Sequence, residues 1–198
     1  ELGEKILANL VSITKAYLLG DLSQGLLLCL IPVLASGMDY PAHMEFKLVT
    51  ASIGILLVFI YAFGSGIWVS SSPGWYASLN RPPWQPPSAF IGIIWPYNFM
   101  VLGIASYQVS RSLTRIENIS WLVFFGLSIF AALTWAYQFY VPHNFTLATI
   151  ALVLAALLTL PVLYLTFKAS LVMGLLLIPY QIWVAIAASV AWGYLTRN

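Results

Sequence analysis

Residues 75–110 read WYASLNRPPWQPPSAFIGIIWPYNFMVLGIASYQVS and divide into two halves of opposite character. The first half, through Pro87, sets two Pro-Pro pairs around Trp84. Proline fixes its own φ and pushes the preceding residue to extended backbone, so this half reads as a stiff loop carrying Trp75, Tyr76 and Trp84. The second half, Ser88–Ser110, contains no charged residue and exceeds the roughly 20 residues a helix needs to cross a hydrocarbon core. A rigid aromatic loop running directly into a membrane-length helix decides the class of fold.

Four further windows repeat the pattern: Leu48–Ser70, Ile119–Val141, Asn144–Phe167 and Leu171–Thr196, all free of Asp, Glu, Lys, Arg and His. Residues 71–87, the charged stretch Arg111 to Glu117, Pro142-His143-Asn144 and Lys168-Ala169-Ser170 separate them as turns. Composition agrees. Apolar residues make up 61% of the 198 and charged residues 7%, with a mean hydropathy of +0.91. A soluble domain carries about a quarter charged residues to keep its surface wet, so this chain is solvated mainly by lipid. The expected fold is an all-α, multi-pass membrane protein: a five-helix transmembrane bundle over 48–198, preceded by an N-terminal interfacial segment over 1–47.

That N-terminal segment reads less sharply. Ile6, Leu7, Leu10, Ile13 and Tyr17 recur at helical spacing, as in an amphipathic helix lying at the interface. Gly25–Ser36 is apolar but short, and reads as an interfacial helix, a re-entrant piece or a sixth span, with length favouring the first. The chain opens on Glu1 rather than Met, which points to processing, truncation or a tag. Ala42-His43-Met44 fits either a cloning scar before a native start or natural sequence. Charge is uneven: residues 1–47 carry three cations against five acids, and the remainder carries Arg81, Arg111, Arg115, Lys168 and Arg197 against Glu117 alone. Lys47, Arg111, Arg115 and Lys168 fall on one side of the bundle and Arg81 and Arg197 on the other, which favours a cytoplasmic N-terminal side.

Several function classes are disfavoured. No carboxylate falls inside a span, where proton- and cation-coupled machines keep such groups despite their cost. There is no paired-carboxylate, Ser-His-Asp or phosphate-loop pattern, no basic nucleic-acid footprint, and one cysteine, Cys29. His43 and His143 read as solvated, so neither catalytic nor metal-binding residues are expected. The chain's resource is aromatic: 8 Trp, 11 Tyr and 11 Phe. Trp68, Trp121 and Trp192 sit near span ends and read as interfacial anchors. Trp95, Trp135 and Trp183 sit deeper and are expected to point inward, either into packing or around a pocket for a flat apolar ligand. Pro96, Pro161 and Pro179 fall inside spans, read either as kinks or as openings between helices.

The run W-Y-x-x-L-x-[KR]-P-x-W-x-P-P, followed by Trp95 in the next helix, resembles the TspO/MBR family of tryptophan-rich sensory proteins and mitochondrial translocator proteins. The likeness continues through Ala132-Leu133-Thr134-Trp135-Ala136-Tyr137 and Ile178-Pro179-Tyr180-Gln181-Ile182-Trp183, and covers about residues 48–196. It implies a five-helix bundle, often a homodimer, with a cavity between helices closed by the first loop. The implied ligands are porphyrin, haem, sterols and benzodiazepine-site drugs, taken from the membrane with no required cofactor and no nucleic acid. The matching positions are Trp75, Tyr76, Pro82, Trp84, Pro86, Pro87, Trp95, Pro179, Tyr180 and Trp183. Three positions depart from the family pattern: Thr134 and Ala191 where Asn is usual, and Tyr137 where Trp is usual, which makes a less polar cavity.

The expected function is therefore a membrane receptor or carrier for a flat hydrophobic ligand, a tetrapyrrole foremost. Trp75, Tyr76, Pro82, Trp84, Trp95, Tyr180 and Trp183 would surround it, and Asn98, Thr134, Tyr137 and Gln138 would orient it. The alternatives are light- or oxygen-dependent porphyrin breakdown and an accessory role in a larger membrane assembly. Val190, Tyr194 and Arg197 fit a loose cholesterol-recognition pattern. Ala151/Ala155 and Ala187/Ala191 form small-residue faces suited to close helix contact within the bundle or between copies.

Overall fold

The computed structural model describes residues 42–69 and 73–198. Contacts divide the chain into two compact units, Glu1–Val49 and Thr50–Asn198, and the account below concerns the second. The amphipathic stretch near the N-terminus and the apolar run Gly25–Ser36 lie outside the described residues.

Among the described residues there are six helices and no strand: α1 (Ala42–Val69), α2 (Pro73–Ser78), α3 (Ser88–Ser112), α4 (Arg115–Tyr140), α5 (Phe145–Ala169) and α6 (Leu171–Leu195). All but α2 are long and apolar enough to cross a membrane, so the chain is a multi-pass integral membrane protein. The helices outrun the charge-free windows. Arg111, Arg115, Glu117 and Lys168 lie in terminal turns of α3, α4 and α5 rather than in an intervening loop. The Pro-rich loop also contains α2, a short helix that the proline pattern does not suggest.

Each start has a local cause. Pro87 precedes α3, where its missing N–H costs nothing. Thr114 and Glu117 form a reciprocal capping box on α4. The Asn144 side chain accepts from Leu147 N–H at the head of α5, and Ser170 both ends α5 and caps α6. With such short connections, α4–α5 and α5–α6 pack as antiparallel hairpins, and α6 also packs on α3. Helix α1 lies against α3 and α4. A Cβ on Gly54 would stand 2.7 Å from Ser106, and one on Gly64 would stand 2.9 Å from Leu133. The five long helices thus form a ring in the order α1, α3, α6, α5, α4.

One half of the ring is solid. Leu102, Val109, Trp121, Phe125 and Val162 are fully buried there. Trp121 is among them, so it is an inward brace rather than an interfacial anchor: its indole donates to Thr166 Oγ1 at 2.9 Å, and that hydroxyl donates on to the Val162 carbonyl. Glu117 and Lys168 pair at the same end. Trp192, by contrast, faces outward as expected of a belt residue. All three internal prolines sit inside continuous helices. Near Pro161, the Ala156 carbonyl accepts from Thr159 Oγ1 and from Gln181 Nε2 of α6. Near Pro179, the Leu176 carbonyl accepts from the Tyr97 hydroxyl of α3. Side chains thus donate to backbone carbonyls in the turns preceding Pro161 and Pro179.

Candidate ligand cavity

The other half of the ring is hollow. Stripes at helical spacing converge on it: Ala62, Gly66 and Val69 from α1, Ile91, Trp95 and Phe99 from α3, Trp135, Phe139 and Tyr140 from α4, and Trp183, Ala187, Val190, Ala191 and Tyr194 from α6. Residues three and four apart share a helix face, so each stripe presents one side to the interior. Helix α5 contributes nothing to the wall. Tyr76, Gln85 and Pro86 of the first loop cover part of it, and the cavity volume is about 360 Å³, within the range of small-molecule sites. Among the described residues, no charged side chain lines it.

The aromatic walls hold one another in place. Trp95 meets Trp183 edge-on at 6.5 Å and stacks on Phe99 at 5.4 Å. Trp135 and Phe139 lie 6.2 Å apart, and Phe139 meets Tyr194 edge-on at 5.3 Å. Such offset and edge contacts are the favoured geometries for aromatic pairs.

The lid is fastened at two places. On one side Trp75 of α2 stacks on His143 in the α4–α5 turn at 3.7 Å and 15°, and on Phe145 behind it. His143 adopts φ 58°, a left-handed conformation that histidine tolerates better than most residues. On the other side Pro82 and Trp84 sit directly on Gly193. A Cβ there would come within 2.6 Å of Pro82 and 2.8 Å of Trp84. Between these anchors, the Tyr194 hydroxyl donates to Gln85 Oε1 at 2.5 Å, and Gln85 Nε2 donates to the Tyr76 hydroxyl at 2.9 Å.

Two indole N–H groups on the wall, those of Trp135 and Trp183, are buried with no hydrogen-bond partner among the described residues. An orphaned buried donor is costly.

Of the residues picked from sequence, Tyr76, Trp95 and Trp183 meet at the cavity. Trp75, Pro82 and Trp84 fasten the lid from outside instead. Tyr180 is 2% exposed in the core beneath, where its hydroxyl meets those of Tyr61 and Ser128. Asn98 is fully buried but off the wall, and neither amide atom has a partner among the described residues. The Thr134 hydroxyl donates to Phe130 of its own helix. Tyr137 is exposed beside Trp68, and Gln138 does not reach the wall. Among the three departures from the family pattern, only Ala191 borders the cavity. Val190 and Tyr194 also face inward, so the cholesterol-like pattern is not a lipid-facing strip. The small-residue faces serve the bundle itself: Ala151 and Ala155 are buried inside it, and Ala187 and Ala191 make room for the cavity. Phe99, Phe139, Tyr140 and Gln85 are wall or lid residues that motif reading misses. The i, i+4 series starting at Trp95 and at Trp135 would have found the first two.

Residues 52–197 match the model of the TspO/MBR family. Tryptophan-rich protein TspO of Bacillus cereus is 29% identical over 147 residues, covering 72% of this chain and 95% of that protein. Protein CrtK of Rhodobacter capsulatus is 30% identical over 122 residues, covering 60% and 75%. The translocator protein of Bos taurus is 29% identical over 118 residues, covering 57% and 68%.

Proposed function

The chain belongs to the TspO/MBR family, and from that premise we propose that it is a membrane receptor or carrier holding a flat apolar ligand, a tetrapyrrole foremost, beneath the loop of residues 73–87. The observation that carries this reading is a cavity walled by Trp95, Phe99, Trp135, Phe139, Tyr140 and Trp183. Faces of this kind suit a planar ring system by stacking, at roughly 0.5–1.5 kcal/mol per aromatic pair beyond area burial. A sterol is aliphatic and gains only the burial.

The test is quenching of tryptophan fluorescence by protoporphyrin in purified protein. Quenching should saturate, and the double substitution Trp95→Ala with Trp183→Ala should weaken binding by at least tenfold, as expected when two stacking walls go. An unchanged affinity in the double variant would remove the cavity from consideration.

A second reading, photochemical or oxygen-dependent breakdown of the bound porphyrin, draws on the contact between Trp95 and Trp183, two oxidisable rings on one wall. It requires a new absorbing product on illumination, lost when either tryptophan is replaced.

A further inference from the structure

The loop and the end of α6 bring two arginines to the edge of the lid, outside the cavity lining itself. Asn80 N–H donates to Asn198 Oδ1 at 2.9 Å, Asn198 Nδ2 donates back to the Asn80 carbonyl, and Asn80 Nδ2 donates to the Arg197 carbonyl. This reciprocal strap sets Arg81 and Arg197, the chain neighbours of Asn80 and Asn198, along one edge. The Arg81 guanidinium lies 5.7 Å from the ring centre of Tyr76, itself a wall residue. The Arg197 guanidinium lies 5.5 Å from the ring centre of Trp84. Both side chains are exposed.

Neither meets a carboxylate among the described residues. Glu117 is the only acid in Thr50–Asn198. It is paired with Lys168 at the opposite end of the bundle, so among the described residues of Thr50–Asn198 no acid compensates these two cations. A guanidinium resting on an aromatic face is held in position while its N–H edge stays free to take a carboxylate or phosphate through two parallel bonds. Inside the cavity an anion would be buried without a countercharge, which is strongly unfavourable. At the rim it would be half solvated and paired.

Building on the reading of the cavity as a flat-ligand site, we propose that Arg81 and Arg197 form an anion clamp that holds the carboxylate arms of the ligand at the rim while its ring system lies among the aromatics below. The ligand class is then an amphiphile, a planar apolar body with acid groups along one edge, rather than a neutral hydrocarbon or sterol. The same two groups suit a lipid phosphate, so the test separates the sources.

Binding of protoporphyrin, a diacid, is compared with its neutral dimethyl ester in nanodiscs of phosphatidylcholine. The diacid should bind more tightly, by roughly two- to fivefold for each arginine. Arg81→Gln with Arg197→Gln should bring the ratio of the two affinities to one, and Arg81→Lys with Arg197→Lys should keep most of the preference. A wild-type ratio of one, or a ratio untouched by the Gln pair, overturns the clamp and leaves the cavity reading standing. Failure of both compounds to bind overturns the cavity reading, and the clamp with it. If the preference exists in phosphatidylcholine but vanishes in discs rich in phosphatidylglycerol, lipid phosphate is the occupant and the assignment to the ligand falls.

Discussion

Gly193 is the residue on which the lid rests. It is glycine because Pro82 and Trp84 occupy the space a side chain would need. Gly193→Ala should lift that edge of the loop, since inserting a methyl into a packed contact costs about 1–3 kcal/mol. Porphyrin should then dissociate several-fold faster in stopped-flow measurements, while the solid half of the bundle keeps its packing. Trp121 shows how position along a helix can mislead. It lies near the end of a span, yet its indole reaches Thr166 on the neighbouring helix. Trp121→Phe keeps an aromatic ring but removes the donor and part of the buried volume. It should lower stability in detergent by about 2–3 kcal/mol, read from unfolding midpoints.

At the scale of elements, α4 and α5 are joined at one end by charge and at the other by the turn that carries His143. Thr114 and Glu117 cap α4, and Glu117 also reaches Lys168 on α5. The two roles separate by substitution. Glu117→Gln preserves the capping box, which accepts glutamine, and removes only an exposed ion pair, so the melting temperature should barely move. Thr114→Ala removes the cap itself and should cost about 1 kcal/mol. The reverse order of effects would show that the ion pair, not the cap, holds that corner. The loop of residues 73–87 works as an element too, though part of it is helical. Its stiffness comes from the proline pairs, and its place comes from Trp75 on one side and Trp84 on the other.

The whole molecule divides into a packed half and a hollow half, and ligand binding should be felt unequally. Saturating protoporphyrin at 100 times its dissociation constant should add about 2.7 kcal/mol of apparent stability by mass action. Hydrogen exchange should slow chiefly in residues 73–87 and in the last turns of α6, where Gln85, Tyr76 and Tyr194 are linked. Protection spread evenly over the bundle would argue against a lid.

The spans, their turns and the aromatic loop are legible from the chain alone. They follow from short-range causes: charge-free runs longer than the hydrocarbon core, proline pairs, and capping residues such as Thr114, Asn144 and Ser170. The chain also marks Tyr76, Trp95 and Trp183, because an unusual aromatic in a stiff loop or mid-span has few other uses. Which aromatics face the cavity and which fasten its cover depends on the assembled bundle. Trp75 and Trp84 share a motif with Tyr76, but loop geometry turns them outward onto His143 and Gly193. Tyr180 sits three residues from Trp183 yet is buried in the core beneath, while Phe139 reaches the wall without any motif and Tyr194 was marked only by the loose cholesterol-like pattern. A stripe of residues defines a helix face, but which face looks inward depends on how five helices are arranged around one another. That arrangement is set by contacts far apart in the chain, such as Gly54 on Ser106 and Gly193 under Pro82.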